Sequence, residues 1–227
     1  MQKRCKRYKK DAKLVEHAKK YALDEAVSIL KKFTATKFDQ TVNCAMKLGV
    51  DVKKSDQLLR GSVALPKGIG KTRKVIVFAE GADADAAKAA GADEVGAEDL
   101  AAKITGGWLD FDVALALPYM MKKISKLGKV LGPQGKMPSP KSGTVTENIA
   151  QGVREFKAGK IEFRTDAGGN VHAPVGKLSF SAGDLKANIE AFIDHIRAVK
   201  PPSAKGIFLQ RVVVSATMTP GIHLEVV

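Results

Sequence analysis

Apolar and polar positions near the N-terminus follow two local patterns. Apolar residues recur at helical spacing within residues 11–33, which predicts two short helices. Residues 37–46 instead alternate one by one, which predicts a strand with Phe38 on its buried face. After a turn at residues 51–56, residues 62–65 predict a second, shorter strand.

The C-terminal third of the chain returns to similar patterns. Two apolar runs, residues 160–164 and 171–173, flank the small polar residues 166–169 and predict a β-hairpin. Residues 212–214 are a stiff β-branched run that predicts the last strand. Between them, one apolar stripe predicts a helix that ends before Pro201 and is formed by Leu185, Ile189, Phe192 and Ile196.

The middle of the chain has a different pattern, in which short continuous apolar runs alternate with helical segments. In order these are VIVFAE from residue 75, an alanine-rich helix at 83–90, EVGAEDL from 94, a helix through Lys103 and FDVALAL from 111. Such alternation is typical of βαβ units around a buried parallel sheet. Residues 120–127 and 147–157 predict two further helices.

The change of pattern predicts the domain organisation. We expect an α/β (α+β) fold of two domains, in which a Rossmann-like β/α domain is inserted into a mixed α+β outer domain. The outer, discontinuous domain combines residues 1–67 with residues 160–227, and the inserted domain spans residues 68–159. The chain crosses between them in short glycine-bearing segments, which permit a hinge.

Charge adds a class of partner to this picture. The 227 residues carry a net charge of +14, yet residues 80–112 hold nine acids against two bases. Residues 113–146, by contrast, hold six lysines and no acid. Such a surface favours a polyanion, because neutralised phosphates release their counterions. Charge alone also fits a merely soluble basic protein, whereas an anionic membrane is disfavoured because no basic helix has a strong apolar face.

Several other classes of protein are disfavoured by the sequence. No apolar run approaches the length of a membrane span, and the basic N-terminus lacks the apolar core of a signal peptide. We therefore expect a protein of the cytoplasm, where Cys5 and Cys44 stay reduced. The four histidines lack metal-ligand spacing, and no catalytic constellation stands out. We expect no metal, no cofactor and no small-molecule substrate.

A phosphate-binding loop for nucleotide hydrolysis is also disfavoured. Gly70, Lys71 and Thr72 match the last three residues of such a loop, but Leu65 stands where the motif needs glycine. The segment also precedes a predicted strand, whereas the motif must follow one and open a helix. The proline- and glycine-rich residues 131–145 are ambiguous, because they fit a basic loop presented to RNA and a plain structural connector equally well.

The closing turn, residues 217–221, points to RNA. It offers hydroxyls, backbone amides and the flexible thioether of Met218, which suit contact with a sugar-phosphate backbone but not acid–base chemistry. Phe38 has two possible roles, a core ring or a ring packed against a ribose or base. Its neighbours Lys37 and Thr41 favour the second role, because they could bind phosphate and sugar.

Several motifs together carry a family resemblance from about residue 5 to the end of the chain. In order they are KFD at 37–39 with Thr41, SDQ at 55–57 with RG at 60–61, GW at 107–108 with DFD at 110–112, LGP at 131–133, IEFR at 161–164, HAPVG at 172–176 and TM at 217–218. The chain resembles the bacterial form of the first-numbered protein family of the large (50S) ribosomal subunit. That family builds the mobile stalk beside the tRNA exit site.

The resemblance implies a function as well as the inserted-domain fold. It implies that the outer domain binds the 23S rRNA stalk, that the protein helps deacylated tRNA leave the exit site, and that it represses translation of its own operon mRNA. Repression without a ribosomal role stays open as an alternative. Family contacts cluster on the first strand and the closing turn, which here means Lys37, Phe38, Thr41, Thr217 and Met218. Glu25, Arg164, Asp166 and His172 occupy matching nearby positions, and the resemblance implies RNA contact there too.

Two positions depart from the family pattern. Thr219 stands where glycine is usual, and a β-branched residue restricts both the backbone dihedrals and a close approach. We expect the turn to survive with weaker or differently angled RNA contact. Arg211 stands where a smaller polar residue is common, and we expect it to supply a compensating phosphate contact.

Overall fold

The computed structural model describes residues 4–16 and 19–225. His17, one of the four histidines considered above, lies outside them. The chain divides into two compact units, residues 1–70 with 161–227 and residues 71–160. Below, these are called the outer unit and the inserted unit. Within the described residues, no helix has both the length and the apolarity needed to cross a membrane.

Helices and strands are both abundant, which makes the fold mixed α/β. The described residues form the strands β1 Thr41–Leu48, β2 Arg60–Ala64, β3 Val75–Phe78, β4 Glu94–Gly96, β5 Val113–Ala116, β6 Lys160–Arg164, β7 Asn170–Lys177, β8 Leu209–Ala216 and β9 Ile222–Leu224. They also form the helices α1 Lys6–Ala12, α2 Leu23–Lys32, α3 Ala82–Ala89, α4 Glu98–Thr105, α5 Met121–Ile124, α6 Gly128–Leu131, α7 Ile149–Ala158 and α8 Ala182–Ala198.

The outer unit is organised around a four-stranded antiparallel sheet with the order β7–β1–β8–β9. Every second residue of β1 is buried, because side chains alternate between the two faces of a strand. The buried face packs against α2 and α8, whose apolar stripes complete one hydrophobic core. The helix predicted from its apolar stripe is confirmed as α8, with Leu185, Ile189, Phe192 and Ile196 fully buried.

The first strand is shorter than predicted. It begins at Thr41, and residues 37–40 form a bend in which the Phe38 side chain is 50% exposed rather than buried. Two side-chain hydrogen bonds account for the bend, one within the segment and one from a residue 140 positions away. The Thr36 hydroxyl donates to the Phe38 carbonyl at 2.6 Å, and the Ser179 hydroxyl donates to the Asp39 carboxylate at 2.8 Å. Such side-chain bonds compete with strand pairing.

The N-terminal helices also differ from the prediction. They lie at Lys6–Ala12 and Leu23–Lys32, so the first one precedes most of the predicted range of 11–33. Part of that range, residues 17–18, lies outside the described residues. Asp11 is buried at the end of α1 and accepts hydrogen bonds from the amide and hydroxyl of Thr34 at 3.1 and 2.7 Å. This contact ties α1 to the segment that follows α2.

The predicted hairpin at residues 160–173 forms only at its turn. The amide of Gly169 donates to the Asp166 carbonyl at 3.1 Å, and a single bridge joins Thr165 to Val171. Beyond it the strands part, because β6 pairs with β2 in a separate two-stranded sheet while β7 pairs with β1. The local sequence encodes the turn, but the pairing partners come from distant parts of the chain.

The inserted unit contains the predicted parallel sheet, which is confirmed. Its order is β4–β3–β5, with β3 parallel to both neighbours. All four residues of β3 and all four of β5 are buried, as expected for a sheet covered on both faces. The helix predicted at 120–127 is instead a series of short turns, 3₁₀ at Pro118–Met120, α5 and 3₁₀ at Ser125–Leu127.

Lys136 in the proline- and glycine-rich loop has a structural role. Its ammonium donates to the carbonyls of Leu109 and Phe111 at 2.9 and 2.7 Å and lies 4.9 Å from the centre of the Phe111 ring. This lysine therefore anchors the loop as a connector. Lys141 in the same loop is exposed.

Asn188 on α8 is a polar residue inside the core of the outer unit. It is fully buried, and its amide group donates to the carbonyls of Gly68 and Val175 at 2.9 and 2.8 Å. Its oxygen accepts from the Lys67 amide at 3.0 Å. One side chain thus bonds three backbone groups, of which the Val175 carbonyl is buried.

Replacing Asn188 with alanine should lower the free energy of unfolding by about 2–3 kcal/mol, because it removes three hydrogen bonds of a fully buried side chain and leaves the buried Val175 carbonyl unsatisfied. Urea denaturation measures the change. Glu190→Ala removes an exposed side chain from the same helix and should shift the unfolding free energy by less than about 0.5 kcal/mol. Equal stability of the two variants would contradict the structural role of Asn188.

Asp166 organises the turn between β6 and β7. Its carboxylate accepts hydrogen bonds from the Asn170 amide at 2.7 Å, from the Asn170 side chain at 3.1 Å and from the Gly168 amide at 2.8 Å. The hydrogen bonds from Asn170 contribute most to lowering the pKa of Asp166 to about 2, and those from Gly168 and His172 contribute less. Bonds to the ionised form favour ionisation.

The titration of Asp166 should therefore have its midpoint near pH 2, below the ordinary value of 3.8. Because the folded-state pKa is lowered, the stability that this carboxylate contributes is complete above about pH 4 and is lost as the pH falls through about 2. Carbon-detected NMR of the carboxyl group measures the midpoint. In Asn170→Ala it should move upward, and an unchanged midpoint would show that Asn170 does not set it.

Candidate nucleic-acid interface

One face of the four-stranded sheet, called the open face below, is the candidate site. Both α2 and α8 pack on the other face, so the outward residues of β1 stay accessible. These residues are Thr41, Asn43, Ala45 and Lys47. The pairing of β1 with β7 and β8 arranges the outward residues in rows across the sheet.

The closing turn lies at one end of the open face. Met218 is at its tip, with its side chain 64% exposed and a positive φ of 67°. A positive φ is uncommon for a residue with a side chain and is often found at functional sites. The turn therefore presents the Met218 thioether to solvent.

Thr219 stabilises this turn from within. Its hydroxyl accepts from the Ala216 amide at 2.9 Å and donates to the Ala216 carbonyl at 3.0 Å, and its own amide donates to the same carbonyl at 3.0 Å. The positive φ occurs at Met218 and not at Thr219. Threonine at this position thus fits the turn without backbone strain. Its effect on RNA contact stays a prediction.

Thr41 connects the closing turn to the first strand. Its amide donates to the Thr217 hydroxyl at 3.2 Å, and the Thr217 amide donates back to the Thr41 carbonyl at 3.0 Å. The ammonium of Lys177, opposite Thr41 on β7, donates to the Thr41 hydroxyl at 2.9 Å. Lys177, Thr41 and Thr217 therefore form one row of polar groups.

The bend at residues 37–40 leads directly into Thr41. Lys37 and Phe38 are both exposed there, so the ring is available for contact. The bend that contains Lys37 and Phe38 is thus joined to the closing turn, because Thr41 at its end is hydrogen-bonded to Thr217. Met218 and Thr219 follow directly in that turn. Half-exposed rings are costly to leave in water, and two exposed apolar side chains beside a row of hydroxyls suit a partner with both apolar and polar surface.

Two further predicted residues, His172 and Arg211, lie on the same open face but nearer its other end. His172 is opposite Ala45, and Arg211 is opposite Lys47. Asp166 adjoins this group, because its carboxylate lies 3.5 Å from the His172 ring nitrogen Nε2. By strand rise, Lys47 is about 20 Å from Thr41 along β1.

Glu25 and Arg164 are not on the open face. Glu25 is exposed in the first turn of α2, which covers the opposite face of the sheet. Arg164 is exposed at the end of β6, which belongs to the two-stranded sheet. The position of either residue relative to the sheet is not predictable from local pattern, because it depends on how α2 and β6 pack in the tertiary structure.

Sequence reasoning missed other residues of the open face, including Lys47, Asn170 and Val213. The signal was present in β1, because the alternation that buries Val42 and Met46 places Lys47 on the same face as Thr41. The signal for β7 and β8 was weaker, since their outward residues are recognisable only once their pairing with β1 is known.

The open face, with the turn and bend that adjoin it, offers groups suited to binding. They are ammonium and guanidinium groups, hydroxyls, a thioether and an aromatic ring. In the part of the chain that the structure describes, no three His, Cys, Asp or Glu side chains are grouped so as to hold a metal ion. Burial raises the pKa of the Cys44 thiol to about 12, so this cysteine remains protonated within the core.

Comparison with known proteins identifies the family of this chain. The family model described as "Ribosomal protein L1p/L10e family" matches residues 30–220. The large ribosomal subunit protein uL1 of Fervidobacterium nodosum is 54% identical over 226 residues, which cover 99% of this chain and 96% of that protein. These are ribosomal proteins and not enzymes. The chain therefore belongs to the ribosomal protein L1p/L10e family.

Proposed function

We propose that this protein is a component of the large ribosomal subunit in the cytoplasm and binds the 23S rRNA stalk through the open face of its outer unit. The observation that carries the proposal is the continuity of the closing turn with the first strand. Hydrogen bonds between Thr41 and Thr217 hold exposed Met218 beside the segment that presents exposed Phe38. A surface fixed in advance loses little entropy on binding.

The charge and chemistry of this surface suit RNA. Lys37, Lys177 and Arg211 are cationic and supply phosphate contacts, while the hydroxyls of Thr41 and Thr217 match sugar oxygens. Phe38 offers a ring on which a ribose or base packs. RNA-binding residues would thus belong to the outer unit, with Glu25 and Arg164 as outlying contacts.

Two further roles belong to the same proposal. The protein would assist release of deacylated tRNA from the exit site, and it would repress translation of its own operon mRNA. A single rigid surface supports the second role, because a messenger leader that imitates the stalk would occupy the same residues. Stalk fragment and leader RNA should then compete for the protein, and simultaneous binding of both would contradict a shared surface.

Phe38→Ala and Met218→Ala should each weaken binding to a 23S stalk fragment about tenfold, because each removes an apolar contact that is specific to the site. Filter binding across a salt series measures the affinity. The parent should lose roughly 0.7–0.9 log units of affinity per log unit of salt for each phosphate contact, with the same slope in both variants.

Tyr119→Ala and Ile207→Ala are the matched controls, since these side chains are 54% and 77% exposed and lie outside the site. Both should bind as the parent does. A parent that binds the stalk no better than unrelated RNA would refute the proposed function. If the parent binds but all four variants behave alike, the assignment of the closing turn and the bend is wrong.

Thr219→Gly should lower the free energy of unfolding by about 1–2 kcal/mol, because it removes the hydroxyl bonds to Ala216 and adds backbone freedom. Thermal denaturation measures the loss. Thr219→Ser retains the hydroxyl and should retain most of the stability. If glycine leaves stability and stalk affinity unchanged, position 219 tolerates both residues and the hydroxyl contributes nothing.

A further inference from the structure

The open face contains a recess that lies apart from the closing turn. It is a shallow cavity of about 370 Å³ between β1, β7 and β8. Its centre is about 13 Å from Thr41 along β1, by the rise of four residues. Its volume falls within the range of small-ligand sites. The RNA contacts proposed for the closing turn and Phe38 do not involve this recess.

The recess exists because a small residue stands at the centre of the sheet. Ala45 lies opposite His172 on one side and Val213 on the other. In the next row, Lys47 lies between Asn170 and Arg211. The methyl group of Ala45 is much shorter than its neighbours, so the middle of the face is hollow with an apolar floor.

The rim of the recess is basic at one end. Lys47 and Arg211 both line it, and none of the residues that line it is acidic. The Lys47 ammonium also donates to the Gly168 carbonyl, which anchors that side chain to the turn after β6. Two adjacent cations suit a phosphate group, and arginine binds its oxygens in a bidentate manner.

The polar side of the rim is held in place from outside. The Asp166 carboxylate accepts from the Asn170 side-chain nitrogen Nδ2 at 3.1 Å and lies 3.5 Å from His172 Nε2. Both rim side chains are thereby oriented by one carboxylate that is not itself part of the lining. An amide and an imidazole are suited to recognise the edge and the face of a nucleobase.

We propose that this recess receives a single unpaired nucleotide of the bound RNA. The base lies on the floor of Ala45 and Val213 beside the His172 ring, and its phosphate lies between Lys47 and Arg211. A base reaches such a recess only when it is unstacked and turned out of its helix, so the site selects a bulged or looped nucleotide. This inference rests on the proposed function, because it concerns RNA already bound to the open face.

Filling the recess tests the proposal. Ala45→Ile should weaken binding to the 23S stalk fragment about tenfold, because the larger side chain occupies the place of the base. Isoleucine is favourable in a strand, so the fold should persist, and thermal denaturation verifies it. Ala86→Ile adds the same atoms at an exposed position of α3 and should bind as the parent does.

Chemical probing of the unpaired bases in the stalk fragment provides a second readout. With the parent, one unpaired base should be protected from dimethyl sulfate. Ala45→Ile should lose that protection at saturating protein, whereas Met218→Ala should retain it despite weaker binding. Arg211→Gln should reduce the salt slope by about 0.7–0.9, the value of one phosphate contact.

The outcomes separate the two proposals. If the parent binds the stalk but Ala45→Ile matches it in affinity and protection, the recess holds no base and the inference is overturned while the proposed function stands. An unchanged salt slope in Arg211→Gln would overturn the phosphate contact. A parent that binds the stalk no better than unrelated RNA refutes both proposals together.

Discussion

The pairing of β1 on both of its edges is the constraint on which the outer unit depends. Antiparallel partners on either side fix the register of β1, and a slip by one residue would exchange its buried and outward faces. Val42, Cys44, Met46 and Leu48 then enter the core against α2 and α8. The same register places Thr41 beside Thr217, so the packing that stabilises the fold also assembles the surface.

Stability and binding chemistry occupy opposite sides of one sheet. The covered side is continuous and apolar, whereas the open face carries hydroxyls and cations, and the bend and turn at its end expose Phe38 and Met218. This separation lets the surface hold a residue with positive φ at its tip, because the turn is fixed by Thr219 and by the strand beneath it.

The inserted unit also separates a buried apolar sheet from its charged surface. Its strands β3 and β5 are fully buried, whereas β4 at the edge is half-buried and carries Glu94. Many charges of this unit form exposed ion pairs, such as Lys103 with Glu94 and Lys123 with Glu80, which add little to stability. Lys136 differs, since carbonyl oxygens hold it. A count of lysines therefore overstates how many are available to a polyanion.

The sequence by itself determined the elements whose patterns are local. Neighbouring residues alone show the alternation in β1, the apolar stripe of α8 and the continuous apolar runs of the parallel sheet. The order of the motifs was sufficient to indicate the family. Tertiary structure alone decided which strands pair, because β6 and β7 adjoin in sequence yet join different sheets. It also decided that Phe38 turns outward and that Ala45 lies at the centre of a recess. Both depend on contacts with residues more than 100 positions away, which no local pattern encodes.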